Sequence, residues 1–261
     1  MGELVVGTSG YSYPDWVGTV YPAGTRRGDF LTLYPERLGG IELNYTYYRM
    51  PSVRSMEALA SAGRGRFRFA VKLTELFTHR RTAGPGDAAA FREAMEPLRA
   101  DGTLGCLLAQ FPYSFRPTRG NLRYMTELLD AFAPLPRVVE VRHADWIHPG
   151  LFEVLAGRGV GFCNIDGPRL PGLPEAAAHA TSPVGYVRFH GRNAARWWDH
   201  QESHERYDYL YSRTELEEWV PRIRALMEET ETLFVFYNNH FRGQAVRNAL
   251  DLLDLLGPDR C

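Results

Sequence analysis

The sequence contains almost no lysine and very little cysteine. Of its 30 basic residues Lys72 is the only lysine, so every other basic position is an arginine. The three cysteines, Cys106, Cys163 and Cys261, do not have the paired spacing of a zinc site. Cys106 and Cys163 fall within apolar strand patterns, which predicts buried free thiols. Such sparse cysteine is typical of a reducing compartment, and we expect a cytoplasmic protein.

Other missing patterns exclude further classes of protein. The formal net charge is -1, so no global positive field favours nucleic acid, although a local basic patch escapes that limit. No apolar run is long enough to span a bilayer, and residues 1–6 run into a strand pattern rather than a signal peptide. Neither GxGxxG nor GxxxxGK[ST] is present. We therefore expect no membrane partner, and the oligomeric state stays open.

Eight apolar segments of strand length alternate with stretches of helical periodicity. Strands are predicted at residues 4–8, 41–44, 67–72, 104–110, from 137 into a polar turn ending at 146, and at 159–166, 185–190 and 232–239. Helices are predicted at 29–38, 52–63, 87–100, 120–132, 151–156, 214–229 and 242–256, with a weak helix in the proline-rich segment 167–180 and an irregular stretch at 191–212. This order predicts one domain over residues 1–261, a single (β/α)8 barrel of the TIM type, irregular around its fifth and sixth helices. A doubly wound parallel sheet is the alternative, and the strand count and absent glycine fingerprint disfavour it.

Polar side chains lie near the carboxyl ends of nearly all these strands. In such a barrel the outward face packs on helices, and the inward residues at the carboxyl ends form the floor of the site. Turning each apolar face outward leaves these residues pointing inward: Glu42, Asn44, Lys72, Gln110, Glu140, Arg142, Asp166, Arg188 and His190, joined by Thr8, Asn238 and Asn239. From the loops, His79, His143 and Arg192 can reach the same mouth.

The predicted site brings cations beside carboxylates. Cations suit a phosphate or carboxylate ligand, and carboxylates near a histidine suit acid–base chemistry or a divalent metal. The candidate catalytic residues are Glu42, Lys72, Glu140, Asp166 and His190. The candidate substrate-binding residues are Thr8, Asn44, His79, Gln110, Arg142, His143, Arg188, Arg192, Asn238 and Asn239. A structural ion-pair network of Glu140 with Arg142 or Lys72 is the competing interpretation.

Short motifs spread along nearly the whole chain carry a family resemblance. They are residues 7–10 (GTSG) with Trp16 and 21–22 (YP), 42–51 (ELNYTYYRMP), 69–72 (FAVK) with 78–79 (TH), 110–112 (QFP), 140–143 (EVRH) with Trp146, 188–192 (RFHGR), 211–212 (YS), and 237–239 (YNN) with Ala245 and 248–249 (NA). Together they resemble the YecE-like family, also called domain of unknown function 72. The resemblance implies a (β/α)8 barrel and a shared site, but no chemistry, because the family is defined by lacking an assigned function. Tyr113 departs from the family at a position where a second proline is usual, which affects the loop after the fourth strand.

Three functions remain open at this point. The first is an enzyme acting on a phosphate-bearing or sugar-like substrate, including a phosphodiester in nucleic acid. It could use a divalent metal held by carboxylates and His190, a metal-free carboxylate base with Arg142 and Arg188 holding the anion, or a Schiff base on Lys72. The second is a module that binds an anionic metabolite or a nucleic-acid end without turnover. The third is an interaction protein that uses residues 191–212 as its contact surface.

Overall fold

A closed parallel barrel forms the centre of the protein. The computed structural model describes residues 1–202 and 204–257, and within them eight strands pair in chain order, with the last pairing to the first. The strands are β1 (Glu3–Ser9), β2 (Gly40–Leu43), β3 (Arg68–Lys72), β4 (Leu104–Gln110), β5 (Arg137–Glu140), β6 (Val160–Asp166), β7 (Val184–Phe189) and β8 (Thr232–Tyr237). The predicted (β/α)8 architecture is confirmed. Cys261 lies outside the described residues.

Helices connect most of these strands and cover the barrel. They are α1 (Tyr45–Tyr48), α2 (Val53–Gly63), α3 (Glu75–Thr78), α4 (Pro85–Ala100), α5 (Arg119–Ala131), α6 (Pro149–Ala156), α7 (Arg213–Glu217), α8 (Val220–Glu229) and α9 (Gln244–Leu256). Local sequence fixes several of their starts: Ser52 and Ser212 each accept a hydrogen bond from the backbone N–H three residues later, which caps α2 and α7. Among the described residues, no helix has the length and apolar character that crossing a membrane requires.

The first predicted helix, residues 29–38, is wrong. Residues 10–39 are all described, and between β1 and β2 they form turns, two short 3-10 segments and one isolated β-bridge, with no α-helix. Pro35 lacks a backbone N–H and disfavours helical geometry in the residue before it. Aromatic packing holds the segment instead, because the ring of Tyr21 stacks on Phe30 at 4.6 Å and lies 5.9 Å from Trp16.

Two later connections also differ from a regular barrel. The weak helix predicted at 167–180 does not form: all of these residues are described, and none is helical. The predicted irregularity is therefore present after β6, whereas the connection after β5 contains the eight-residue helix α6. The single helix predicted at 214–229 is divided into α7 and α8, and Pro221 lies at the start of the second.

Apolar side chains and close strand contacts fill the lower barrel. The interior layer consists of Val5, Ala70, Cys106, Leu108, Val138, Cys163, Ile165, Tyr186, Phe234 and Phe236. Gly7 pairs with Gly40, and a Cβ atom on Gly7 would lie 1.8 Å from the Gly40 carbonyl oxygen. The two cysteines of this layer are buried free thiols, as predicted.

Candidate functional site

The carboxyl ends of the strands open into a cavity of about 970 Å³. Seven of the predicted site residues line it: Asn44, Lys72, His79, Gln110, Arg142, Arg188 and Asn238. Glu42, Glu140 and His190 are fully buried in the floor around Arg188. The alternation of side chains along and just beyond β2, β3, β4, β5, β7 and β8 therefore brings nine of the fifteen predicted residues together, and the end of α3 adds His79.

Arg188 is the centre of a buried ion-pair network. Its Nη1 donates to Glu140 Oε2 at 2.5 Å and its Nη2 donates to Glu42 Oε1 at 2.6 Å. The hydroxyl of Tyr186 donates to the other oxygen of Glu42 at 2.7 Å. Burial alone would lower the pKa of Arg188, but the attraction of Glu140 and Glu42 outweighs it and holds that pKa well above its usual range. One guanidinium thus joins the carboxylates of β2 and β5 across the barrel.

Glu140 is bound by a second cation and faces a neutral histidine. Arg142 Nε donates to Glu140 Oε1, and His190 Nε2 lies 3.4 Å from the same oxygen. Burial would raise the pKa of Glu140, but Arg142 and Arg188 hold it well below the usual range. Burial and Arg142 lower the pKa of His190, so the ring is neutral. Its Nδ1 accepts a hydrogen bond from Asn238 Nδ2 at 3.1 Å, which places the ring proton on Nε2, toward Glu140.

Lys72 reaches the cavity without an acidic partner. Its Nζ lies 4.4 Å from the centre of the Tyr47 ring, and it makes no ion pair or hydrogen bond with any residue that the structure describes. Burial, followed by repulsion from Arg188, lowers the pKa of Lys72 to about 7, although Glu140 and Glu42 act in the opposite direction. Burial and the neighbouring Lys72 lower the pKa of His79 to about 4. Near neutral pH, a fraction of the Lys72 amine is therefore unprotonated.

The predicted inward orientation of Asp166 is wrong. Cys163 and Ile165 point into the barrel, so Asp166 points outward. It is 1% exposed and accepts hydrogen bonds from Tyr211, Trp219 and Arg192, each at 2.7 Å. The rule that places apolar residues outward fails on β6 because no helix follows this strand within the described residues 167–180. Asn164 and Asp166 instead hydrogen-bond the irregular segments that cover its outer face.

Four further candidates lie outside the cavity. Thr8 points outward and hydrogen-bonds the Tyr34 hydroxyl at 2.7 Å. Because side chains alternate along β1, the neighbouring residue Ser9 points inward instead. Asn239 also points outward and donates to Asn248 at 2.9 Å. Arg192 binds Asp166 on the outer face of the barrel. His143 is buried behind the cavity wall, with its ring centre 4.8 Å from that of Tyr113. Their predicted place at the mouth is therefore wrong for all four.

Aromatic residues that the sequence interpretation left out form much of the wall. They come mainly from the loop after β1, from α1 and from the segment before α7: Tyr11, Tyr13, Tyr45, Tyr47, Tyr48, Tyr113, Trp197, Trp198 and Tyr207. Trp198 and Tyr48 are exposed at the rim, at 53% and 80% of their surface. Their signal in the sequence was the density of tyrosine and tryptophan within loops that follow strands, since such loops line the mouth of a barrel.

The donor set does not fit a divalent metal, which the sequence left open as one of three alternatives. Among the described residues, no three His, Cys, Asp or Glu side chains lie in an arrangement that could hold a metal ion. The two floor carboxylates already bind arginines, and Asp166 lies on the other side of the strand wall. The geometry thus leaves a cationic, aromatic-walled cavity over a neutralised floor.

Comparison with known proteins places this chain in a family. The sequence model of the family described as protein of unknown function DUF72 matches residues 5–260. A crystal structure of a DUF72 family protein from Thermotoga maritima is 38% identical, covers 97% of this chain and 99% of its own, and has a TM-score of 0.90. One from Enterococcus faecalis, 24% identical over 97% of this chain and 95% of its own, shares the fold with a TM-score of 0.85. The UPF0759 protein YunF of Bacillus subtilis (strain 168) is 26% identical over 97% of this chain and 94% of its own. As its motifs predicted, the chain belongs to the DUF72 family.

Proposed function

We propose that the cavity binds a small anionic molecule, a phosphate-bearing and sugar-like ligand, and acts on it without a metal held by this chain. The observation that carries the proposal is the charge balance of the floor. Three cationic side chains, Lys72, Arg142 and Arg188, face the carboxylates of Glu42 and Glu140. The two histidines beside them are neutral near neutral pH, because burial lowers the pKa of each. Whenever Lys72 is protonated, the site carries one positive charge more than negative charges.

The excess charge faces the cavity rather than the floor. Arg142 uses Nε to bind Glu140, and among the described residues its two terminal nitrogens have no hydrogen-bond partner. Lys72 Nζ is similarly unpaired. A guanidinium edge and an ammonium that line the same cavity match the oxygens of a phosphate or carboxylate.

The rest of the cavity suits a hydroxyl-bearing carbon chain. Gln110, Asn44 and Asn238 contribute amides that can both donate and accept hydrogen bonds. The tyrosine walls offer flat apolar faces with polar rims, which suit the alternating character of a sugar. A volume of about 970 Å³ is at the upper end of the range for small-molecule sites.

Calorimetric titration of a matched ligand pair tests the proposal. We expect inorganic phosphate and dihydroxyacetone phosphate to bind, and dihydroxyacetone, which lacks only the phosphate, to bind at least about tenfold more weakly. Lys72→Met should weaken binding of the phosphate ligand by about tenfold, and Lys72→Arg should retain most of it. Arg54→Met, on the exposed face of α2, is the control and should change nothing. Equal affinity for the two ligands, or no anion binding, would overturn the proposal.

A second candidate ligand is the phosphate end of a single-stranded nucleic acid. The observation that favours it is the exposed rim, where Trp198 and Tyr48 offer ring faces for stacking bases and Arg206 adds a cation. A short phosphorylated oligonucleotide should then displace inorganic phosphate, while the same oligonucleotide without a terminal phosphate should not. If the phosphorylated oligonucleotide did not displace inorganic phosphate, the small phosphate-bearing molecule would be the one remaining candidate ligand.

A further inference from the structure

We infer that Lys72 forms an imine with a carbonyl carbon of the ligand. The inference rests on the proposed function and specifies its ligand as a phosphate-bearing aldehyde or ketone. It concerns a covalent step, whereas anion binding requires only the charges of the site. The two can therefore fail separately.

The floor leaves the Lys72 amine without a carboxylate to neutralise it. Both oxygens of Glu140 are occupied, one by Arg142 and the other by Arg188. Both oxygens of Glu42 are occupied as well, by Arg188 and Tyr186. A half-buried lysine that served only to balance charge would be expected to pair with one of them. The hydrogen bonds and ion pairs of Glu42 and Glu140 are instead complete without Lys72.

The surroundings favour the neutral, nucleophilic form of this amine. Desolvation at the end of β3 and repulsion from Arg188 lower the pKa of Lys72 to about 7, so the amine is substantially unprotonated near neutral pH. The Tyr47 ring, 4.4 Å from Nζ, packs against the side chain and still leaves it at the cavity wall. Arginine occupies every other basic position of the chain, and a guanidinium can neither lose its proton readily nor form an imine.

The step balances without any oxidant or reductant. The nitrogen lone pair attacks the carbonyl carbon, and one of the two nitrogen protons passes to the carbonyl oxygen to give a neutral carbinolamine. A second proton, taken from solvent, converts that hydroxyl into water, which leaves as the nitrogen lone pair forms the C=N bond, so the nitrogen keeps one proton. The protonated imine keeps a positive charge near Glu42 and Glu140, whose attraction acts on Nζ in the direction that favours a cation. The anionic group of the ligand remains beside Arg142.

Reductive trapping tests the inference, because the chain contains a single lysine. The protein is incubated at pH 7.5 with dihydroxyacetone phosphate or dihydroxyacetone and sodium cyanoborohydride, which delivers hydride to the imine carbon and leaves a stable secondary amine. Mass spectrometry should show one adduct on the peptide that contains Lys72, formed about tenfold faster with the phosphate-bearing compound. The terminal α-amino group falls in a different peptide. Lys72→Arg should bind the phosphate compound and form no adduct in that region.

The variant Arg54→Lys provides an internal standard. It adds an ordinary lysine on the exposed face of α2, in a protein that retains Lys72. Lys72 should react at least tenfold faster than the added lysine. If the phosphate compound binds but Lys72 reacts no faster than that standard, the imine is ruled out and the anion site stands. If Lys72 reacts fast with both compounds alike, the imine stands and the anion preference is refuted. If nothing binds and Lys72 is no faster than the standard, both proposals fail.

Discussion

At the scale of single residues, the chemistry of the site depends on which cations have acidic partners. Arg188 and Arg142 are bound to carboxylates, and Lys72 is not. Arg188 therefore holds the floor together, while the terminal nitrogens of Arg142 and the amine of Lys72 are available to a ligand. This difference between the cations leads to two predictions. One concerns the pH dependence of stability, and the other concerns the loss of stability when the ion-pair network is broken.

The pKa of Lys72 predicts how stability changes with pH. Its pKa is about 7 in the folded protein and 10.5 for an ordinary lysine, so between these values the unfolded chain binds more protons than the folded one. The free energy of unfolding should therefore rise with pH across this window. We expect the difference between wild type and Lys72→Met to shift in favour of wild type by on the order of 3 kcal/mol from pH 7 to pH 10. Urea unfolding at both pH values measures it, and a constant difference would contradict the prediction.

Removing Arg188 should leave two buried carboxylates with too little positive charge. We expect Arg188→Met to lower the free energy of unfolding by about 3–5 kcal/mol. The triple variant that combines Arg188→Met with Glu42→Gln and Glu140→Gln should recover part of that loss, because it also removes the carboxylate charges left without a partner. Arg37→Met, which breaks the exposed ion pair with Asp254, should cost less than about 1 kcal/mol. Urea unfolding at pH 7 compares them, and equal losses at both arginines would refute the buried network.

At the scale of elements, the irregular connections explain where polar groups point. β6 lacks a following helix within the described residues 167–180, so irregular segments cover the carboxyl end of its outer face and hydrogen-bond Asn164 and Asp166. Asp166 ties this strand to Tyr211, before α7, and to Trp219, between α7 and α8. Its burial therefore stabilises the outer wall and contributes nothing to the cavity.

Asp166→Asn separates a structural role from a catalytic one. The amide keeps the size of the side chain but loses the charge-assisted bonds to Arg192, so we expect a loss of about 1–3 kcal/mol in the free energy of unfolding. Affinity for inorganic phosphate, measured by calorimetry, should stay within about twofold of wild type, since Asp166 does not line the cavity. A tenfold weaker affinity in a stably folded variant would show that Asp166 does take part in ligand binding.

The pairing of β1 with β2 depends on the absence of a side chain. Because a Cβ atom on Gly7 would lie 1.8 Å from the Gly40 carbonyl oxygen, Gly7→Ala must push the strands apart. We expect a loss of about 1–3 kcal/mol or more in the free energy of unfolding. Gly120→Ala, in α5 with no atom near its Cβ position, is the matched control and should be neutral or slightly stabilising. Thermal and urea unfolding of both variants would measure this, and equal stability would contradict the close approach.

At the scale of the whole molecule, closure of the barrel creates a local excess of positive charge that the net charge of the chain does not reveal. The chain as a whole has a formal net charge of -1. Closure nevertheless brings the ends of β2, β3, β5 and β7 to one place, where three cations meet two carboxylates. A local excess of this kind suits a small anion held in one cavity better than an extended duplex held by a broad field.

The sequence by itself determined the barrel, the order of its strands and most of the inward residues. The periodicity of each strand and the number of strands can be read from short stretches of sequence, so both can be predicted without knowing which residues pack together. Helix existence was least reliable where proline and aromatic packing overrode propensity, as at residues 29–38. On β2, β3, β4, β5 and β7 the apolar face turns outward as expected, and Glu42, Lys72, Gln110, Glu140 and Arg188 point inward.

Only the tertiary structure decided which of these groups are free to act. Arg188 finds Glu42 146 residues away and Glu140 48 residues away, and no local pattern encodes such pairing. The same pairing leaves Lys72 without an acidic partner, while burial in the packed barrel, followed by repulsion from Arg188, lowers its pKa. Asp166 shows the converse, because its orientation follows from what covers β6 rather than from the strand itself. The chain thus encodes its fold in local patterns, and its reactive amine emerges only when distant charges are brought together.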